Sequence, residues 1–174
     1  MGIQFETDYN METLTAMAKS LLKTVRKKRS RRVHIFAAVV LVLGILTILA
    51  TVAGGEPLGA SGVVTLLALL VVILVSLFED RLNAWFAKKR LLPGTEHAAA
   101  TFEEDGYVSA TSMSESKFSY AQIVAVAETA RYFVFALSSH HAQAYDKRTI
   151  RGGSVEDFRA FIAEKTGKLV EKIK

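Results

Sequence analysis

The sequence predicts an α+β membrane protein: a two-helix transmembrane hairpin joined to an antiparallel β domain that a C-terminal helix closes. Three observations predict it. Residues 33–53 and 58–78 are two long apolar runs without a charged side chain, separated by Gly54, Gly55, Glu56 and Pro57. Beyond Thr95 the apolar residues recur with a period of two instead of three to four. After Gly152 and Gly153 the helical period returns behind a capping signal.

The first segment, residues 1–32, carries two elements. IQFETDY alternates apolar and polar residues as a short strand does. Met11, Leu14, Met17, Ala18, Leu21, Leu22 and Val25 then draw one stripe along a helix over 11–28, with Asn10 as its N-cap. This amphipathic helix either lies on a membrane surface or packs its stripe on the β domain. Its basic residues gather at one end, not along one face, which favours packing and makes them a border.

The hairpin occupies residues 33–78. Each run holds about 20 residues, and at roughly 1.5 Å of rise per residue it spans the roughly 30 Å hydrocarbon core of a bilayer. Without water every backbone N–H and C=O must pair internally, so both runs are helical. The glycines and Pro57 break them, with Pro57 at the start of the second helix, and the short turn makes them antiparallel. A core helix in a soluble domain keeps a polar stripe, whereas these are apolar all round. A cleaved signal peptide fits poorly, because the apolar run begins only after residue 32 and no small-x-small site precedes Gly54.

Lys23, Arg26, Lys27, Lys28, Arg29, Arg31 and Arg32 precede the hairpin, Arg81, Lys88, Lys89 and Arg90 follow it, and the connecting turn has no Lys or Arg. The positive-inside rule then predicts a multi-pass protein of the cell membrane with both termini cytoplasmic. Glu56 in the turn is the one charge between residues 33 and 78, so a transporter or proton relay is not expected. Ala37, Ala38, Gly44, Gly59, Ser61 and Gly62 are small enough to let the two helices pack on each other.

Residues 79–94 extend the second helix, with Leu82, Trp85 and Phe86 on one face, and end at Leu91, Leu92, Pro93 and Gly94 as a linker. Residues 95–174 form the β domain. Strands are predicted over 97–103, 107–113, 117–120, 123–128, 132–138 and 142–147, with Phe118, Tyr120, Phe133, Phe135 and Leu137 facing inward. Ser154 with Asp157 forms a capping box ahead of a helix bearing Val155, Phe158, Phe161, Ile162, Leu169 and Ile173. Such a sheet is strongly bent, and the helix plugs its open end.

The order of parts, with IQFETDYN, TFEEDGY, FSYAQIVAVAET, YFVFAL, AYDKR and GSVEDFRAFIAEKTG, resembles the YcxB-like family of bacterial membrane proteins. The resemblance implies a cytoplasmic PH-like antiparallel β-barrel or sandwich, two near-orthogonal sheets capped by a C-terminal helix. It carries no catalytic signature. Related PH-like membrane proteins imply, as a second role, immunity or self-protection against membrane-active peptides. A PH-like barrel has seven strands, so residues 2–9 are expected to supply the strand missing from the six counted, which makes the hairpin an insertion.

The chemistry-bearing residues are sparse. There is no Cys, and His34, His97, His140 and His141 lack ligand spacing beyond one adjacent pair. Ser116, Ser119 and Ser154 lack a nucleophile elbow, no phosphate-binding glycine loop is present, and Glu103, Glu104 and Asp105 read as a solvated turn. No enzyme activity, cofactor or metal is expected. The net charge of +5 reflects the membrane border more than nucleic acid, which is not an expected partner. Lipid-headgroup contacts are expected at Arg29, Arg31, Arg32, Lys88, Lys89 and Arg90, at roughly 1 kcal/mol per basic residue near an anionic surface. Lys147, Arg148 and Arg151 form a further cationic turn that either meets headgroups or is merely solvated. The expected partners are the anionic bilayer face and a protein partner or second copy. The expected role is a non-enzymatic, membrane-anchored interaction module.

Overall fold

The N-terminal alternation does form a strand, and that strand ties the two ends of the apolar hairpin together. In the computed structural model, which describes residues 2–173, β1 (Ile3–Asp8) pairs antiparallel with β2 (His97–Phe102), from Ile3 opposite Phe102 to Asp8 opposite His97. Met1 and Lys174, the outer ends of the expected first and last segments, lie outside the described residues. The sheet continues through β3 (Tyr107–Thr111) and β4 (Glu115–Phe118) in the order β1-β2-β3-β4.

A second sheet has the order β7-β6-β5-β8, built from β5 (Ala125–Glu128), β6 (Tyr132–Ala136), β7 (Ala142–Asp146) and β8 (Val170–Lys172). All its pairings are antiparallel except β5 with β8, which is parallel. The sheets meet at β1. Gln4 and Arg151 exchange backbone hydrogen bonds of 2.9 and 3.0 Å, and the Thr149 hydroxyl bridges the Glu6 N–H at 3.0 Å and the Glu6 carbonyl at 2.7 Å. Gly152 follows with φ 82°, and a Cβ there would sit 2.6 Å from the Gly2 carbonyl oxygen. Among the described residues no ladder joins β4 to β5, so the two sheets do not close into a barrel.

Between the sheets lies an aromatic core. Phe5, Phe102, Phe133, Phe135 and Phe158 are at most 1% exposed, and Tyr107 and Tyr145 are nearly so. Its rings meet edge to face, as Phe102 with Phe158 at 4.8 Å between centroids, or stacked, as Phe102 with Tyr107 at 5.0 Å, arrangements worth about 0.5–1.5 kcal/mol per pair beyond burial. Phe158 and Ile162 enter this core from α5 (Val155–Thr166), whose Ser154 and Asp157 complete the capping box. The helix stops at Gly167, φ 63°, the left-handed C-cap that glycine adopts without steric penalty. Leu169 and Ile173 are therefore not on it: Leu169 is 90% exposed and Ile173 follows β8.

α1 (Met11–Lys23) begins at Asn10, whose side chain accepts the Thr13 N–H at 3.0 Å. It ends five residues short of Lys28, because the Arg26 N–H bonds back to the Leu21 carbonyl at 2.8 Å and turns the chain. The predicted stripe packs on the outer face of the second sheet, where Leu21 joins Tyr132, Val134, Ala136, Ala142 and Ile173, with Met17 and Val25 beside it. All five residues of β6 are consequently buried, one face by the aromatic core and the other by α1.

α2 (Lys27–Ala53) absorbs the basic border into its first turns, and α3 (Ala60–Leu77) starts at Ala60, leaving Pro57 in the turn and outside the helix. At about 1.5 Å per residue they are roughly 40 and 27 Å long, long and apolar enough to cross a membrane. Ala37 and Leu69 are their buried residues, whereas Leu43, Leu70, Phe36 and Val64 are more than half exposed. Gly44 leaves the room that the Leu69 side chain fills. The helix does not continue unbroken past Phe78: φ −112° and ψ 25° there redirect α4 (Glu79–Lys89), which packs on α1 and buries Ala84 completely.

Candidate functional site

Apolar hairpin and β domain meet where α1, the start of α2, α4 and the β6–β7 turn come together. Arg26 stands in the α1–α2 turn, Arg29 and Ser30 one turn into α2, Glu79 and Asn83 on α4, Arg90 at its C-cap, and His140 in the β6–β7 turn. Together with Leu22 and Val33 they line a crevice of about 340 Å³. Arg26 Nε donates to the Ser139 carbonyl, pinning the β6–β7 turn against the helices. Burial, then the neighbouring Arg29, push the Arg26 guanidinium below its ordinary pKa, and Glu79 partly opposes them. Glu79 accepts from the Ser30 hydroxyl at 3.1 Å and lies 3.9 Å from His34 Nε2. Three guanidiniums thus face one carboxylate that is already engaged.

The crevice leads onward. A groove of about 270 Å³ shares Arg26, Asn83, Arg90 and His140 with it, and a larger one of about 530 Å³ shares Arg90 and His140 in turn. Gln143, 8% exposed, lines the larger groove, and its carbonyl accepts both the Tyr107 and Tyr145 hydroxyls at 2.8 Å. Burial pushes both tyrosine hydroxyls well above their ordinary pKa, so they remain donors.

The predicted contact residues separate into two groups. Arg29, Arg31, Arg32, Lys88, Lys89 and Arg90 are all exposed on the first turns of α2 and at the end of α4. Of these, Arg29 and Arg90 reach the crevice; Lys88 Nζ lies 3.5 Å from the Tyr9 carbonyl, and Lys89 Nζ stacks 3.7 Å over the Trp85 ring. Lys147, Arg148 and Arg151 line none of it, and each has an acidic partner. Lys147, its side chain 14% exposed, donates to Glu128 Oε1 at 3.0 Å and the Thr129 carbonyl at 2.8 Å. Arg148 makes bonds of 3.2 and 3.0 Å to the two Asp146 oxygens, and Arg151 lies 3.5 Å from Glu6 Oε1.

Behind this last turn sit two buried carboxylates that the strand pattern did not single out. Glu128 takes Arg159 Nε at 2.6 Å and Nη2 at 2.9 Å as well as Lys147, and it titrates at about 2, held down chiefly by Arg159 against the opposing effect of burial. Asp146 is shared by Arg148 and Arg131, and Arg131 reaches on to Glu12 of α1. Their signal was visible: single acids ending the apolar strands VAVAE and AQAYD, each with a cation near by in sequence. Arg26 and His140, read from the sequence as a border cation and one of an adjacent histidine pair but not as contact residues, are united only by packing of α1 and α4 on the β6–β7 turn. Among the described residues no cluster of three His, Cys, Asp or Glu is placed to hold a metal ion.

Comparison with known proteins agrees with the resemblance read from the motifs. No curated protein and no solved structure matches the chain. The family described as YcxB-like protein matches residues 102–162, from Phe102 in the first sheet to Ile162 of α5, both of them core residues.

Proposed function

We propose that this is a non-enzymatic integral membrane protein that presents a cytoplasmic PH-like domain for interaction with protein or lipid. The observation that carries the reading is the placement of the hairpin. Two helices with exposed apolar flanks leave the β domain after β1 and return to it before β2, so the paired strands hold both ends of the hairpin on one side. Basic residues at both ends and none in the turn favour that side being cytoplasmic. Two four-stranded sheets over one aromatic core, with α5 across them, support the PH-like assignment. The displaced carboxylate of Glu128 is occupied by structural ion pairs, which leaves it no role as an acid or base.

The native chain has no Cys, so single cysteines report topology directly. Gly55→Cys in the hairpin turn is expected to react with a membrane-impermeant maleimide on intact cells, and Ser116→Cys in β4 only after lysis. The reverse pattern, or a compact monomer in detergent-free buffer, overturns the reading. Crosslinking with mass spectrometry in native membranes then identifies what the domain touches.

A further inference from the structure

We propose that the crevice formed by Arg26, Arg29, Arg90 and His140 seats the phosphodiester headgroup of one anionic phospholipid. This rests on the membrane reading above and makes it specific: one lipid in one site, not a diffuse attraction between a basic border and a charged surface.

Charge balance is the first argument. The crevice is lined by three arginines and one acid, Glu79, whose carboxylate already takes the Ser30 hydroxyl. Arg29 and Arg90 make no side-chain hydrogen bond or ion pair with any described residue, while Arg26 spends one N–H on the Ser139 carbonyl. The fold therefore brings like charges to one half-open crevice without matching counter-ions from the described residues, and an anion seated there would offset their repulsion. Guanidinium forks match the paired oxygens of a phosphate, and Ser30, Asn83 and His140 add further polar groups.

Position is the second. Val33, the first residue of the apolar run, lines the same crevice, so a headgroup held there sits beside the hairpin with its acyl chains free to run along α2 and α3. The volume of about 340 Å³ corresponds to about eleven waters at ≈ 30 Å³ each, room for a phosphate and its glycerol. By contrast Arg31, Arg32, Lys88 and Lys89 lie outside the crevice and serve as an internal control of equal charge.

The test uses the full chain in nanodiscs of phosphatidylcholine with a minor share of phosphatidylglycerol, followed by native mass spectrometry of retained lipid. Wild type is expected to keep one phosphatidylglycerol. The double variant Arg29→Gln with Arg90→Gln is expected to lose it about tenfold, equivalent to about 1.4 kcal/mol, whereas Arg31→Gln with Lys88→Gln, removing the same charge, keeps it. Thermal melts of both variants monitor folding; Arg29 and Arg90 have no side-chain partner among the described residues and the control loses only the long, exposed contact of Lys88 to the Tyr9 carbonyl, so both melts should lie close to wild type. Equal loss in the two variants, or loss in neither, overturns the proposal. Displacement of the lipid by millimolar inorganic phosphate overturns the lipid source in favour of free phosphate. Failure of wild type to enter phosphatidylcholine nanodiscs at all overturns the membrane reading instead, so the two failures are distinguishable.

Discussion

The chain has two basic clusters that look alike in sequence and behave differently in the fold. At the last turn of the β domain, Lys147, Arg148, Arg151 and the nearby Arg159 each meet a carboxylate, two of which are buried. At the hairpin border, Arg26, Arg29 and Arg90 share one engaged acid. The first cluster is internally neutralised and holds two strands and a helix together; the second carries charge that the protein does not satisfy. A run of Lys and Arg measures charge present, and the partners supplied by the fold decide how much of it is available.

The sharpest way to break the comparison is to unbalance the neutralised cluster. Glu128→Gln leaves Lys147 and Arg159 without their acid in a buried setting and is expected to cost about 3 kcal/mol, read as roughly hundredfold faster hydrogen exchange of the β5 and β6 amides at neutral pH. Because Glu128 is held at about 2 in the folded chain against 4.5 ordinarily, its contribution is complete above about pH 4.5 and fades as pH falls toward 2. A wild-type chain whose β5 and β6 protection factors, corrected for the intrinsic pH dependence of exchange, stay flat across that window would show that the pair stabilises nothing.

Next in size is the seam. Thr149→Val removes the hydroxyl that serves both the N–H and the carbonyl of Glu6, and is expected to cost about 1–2 kcal/mol, seen as loss of protection in β1 before the second sheet. Smaller still are Arg148→Ala and Arg151→Ala, which remove exposed cations while buried Asp146 keeps Arg131, expected to change stability by less than about 1 kcal/mol in a thermal melt and to approach wild type at high salt. Smallest is Arg29→Gln with Arg90→Gln, expected within about 0.5 kcal/mol of wild type, since no protein bond is lost and repulsion on Arg26 is relieved. A large destabilisation there would erase the contrast between the clusters.

Much of the fold was legible because it follows from local periods. The two-residue alternation placed six strands to within two residues at their ends, and the Ser154 and Asp157 spacing located the start of α5. What the sequence concealed is decided by distant contacts. β8 is three residues long and exists because β5 offers it a parallel edge after Gly167 turns the chain. The break at Phe78 comes from packing of α4 on α1, which no helical propensity in LFEDRL announces. The crevice has the same character: Arg29 and Arg90 are readable as basic border residues, but their meeting with His140, some fifty residues further along the chain from Arg90, is a product of tertiary packing.

The pairing of β1 with β2 also dictates an order of events during synthesis. Ile3 leaves the ribosome 99 residues before Phe102, its partner, an interval on the order of 5–20 s at cellular translation speeds. Throughout that wait the first strand lacks its β2 partner, and both apolar helices are synthesised before that neighbour emerges. Closure of that single ladder therefore comes only after the whole hairpin has been made, so the first strand synthesised is among the later ones to find its neighbour.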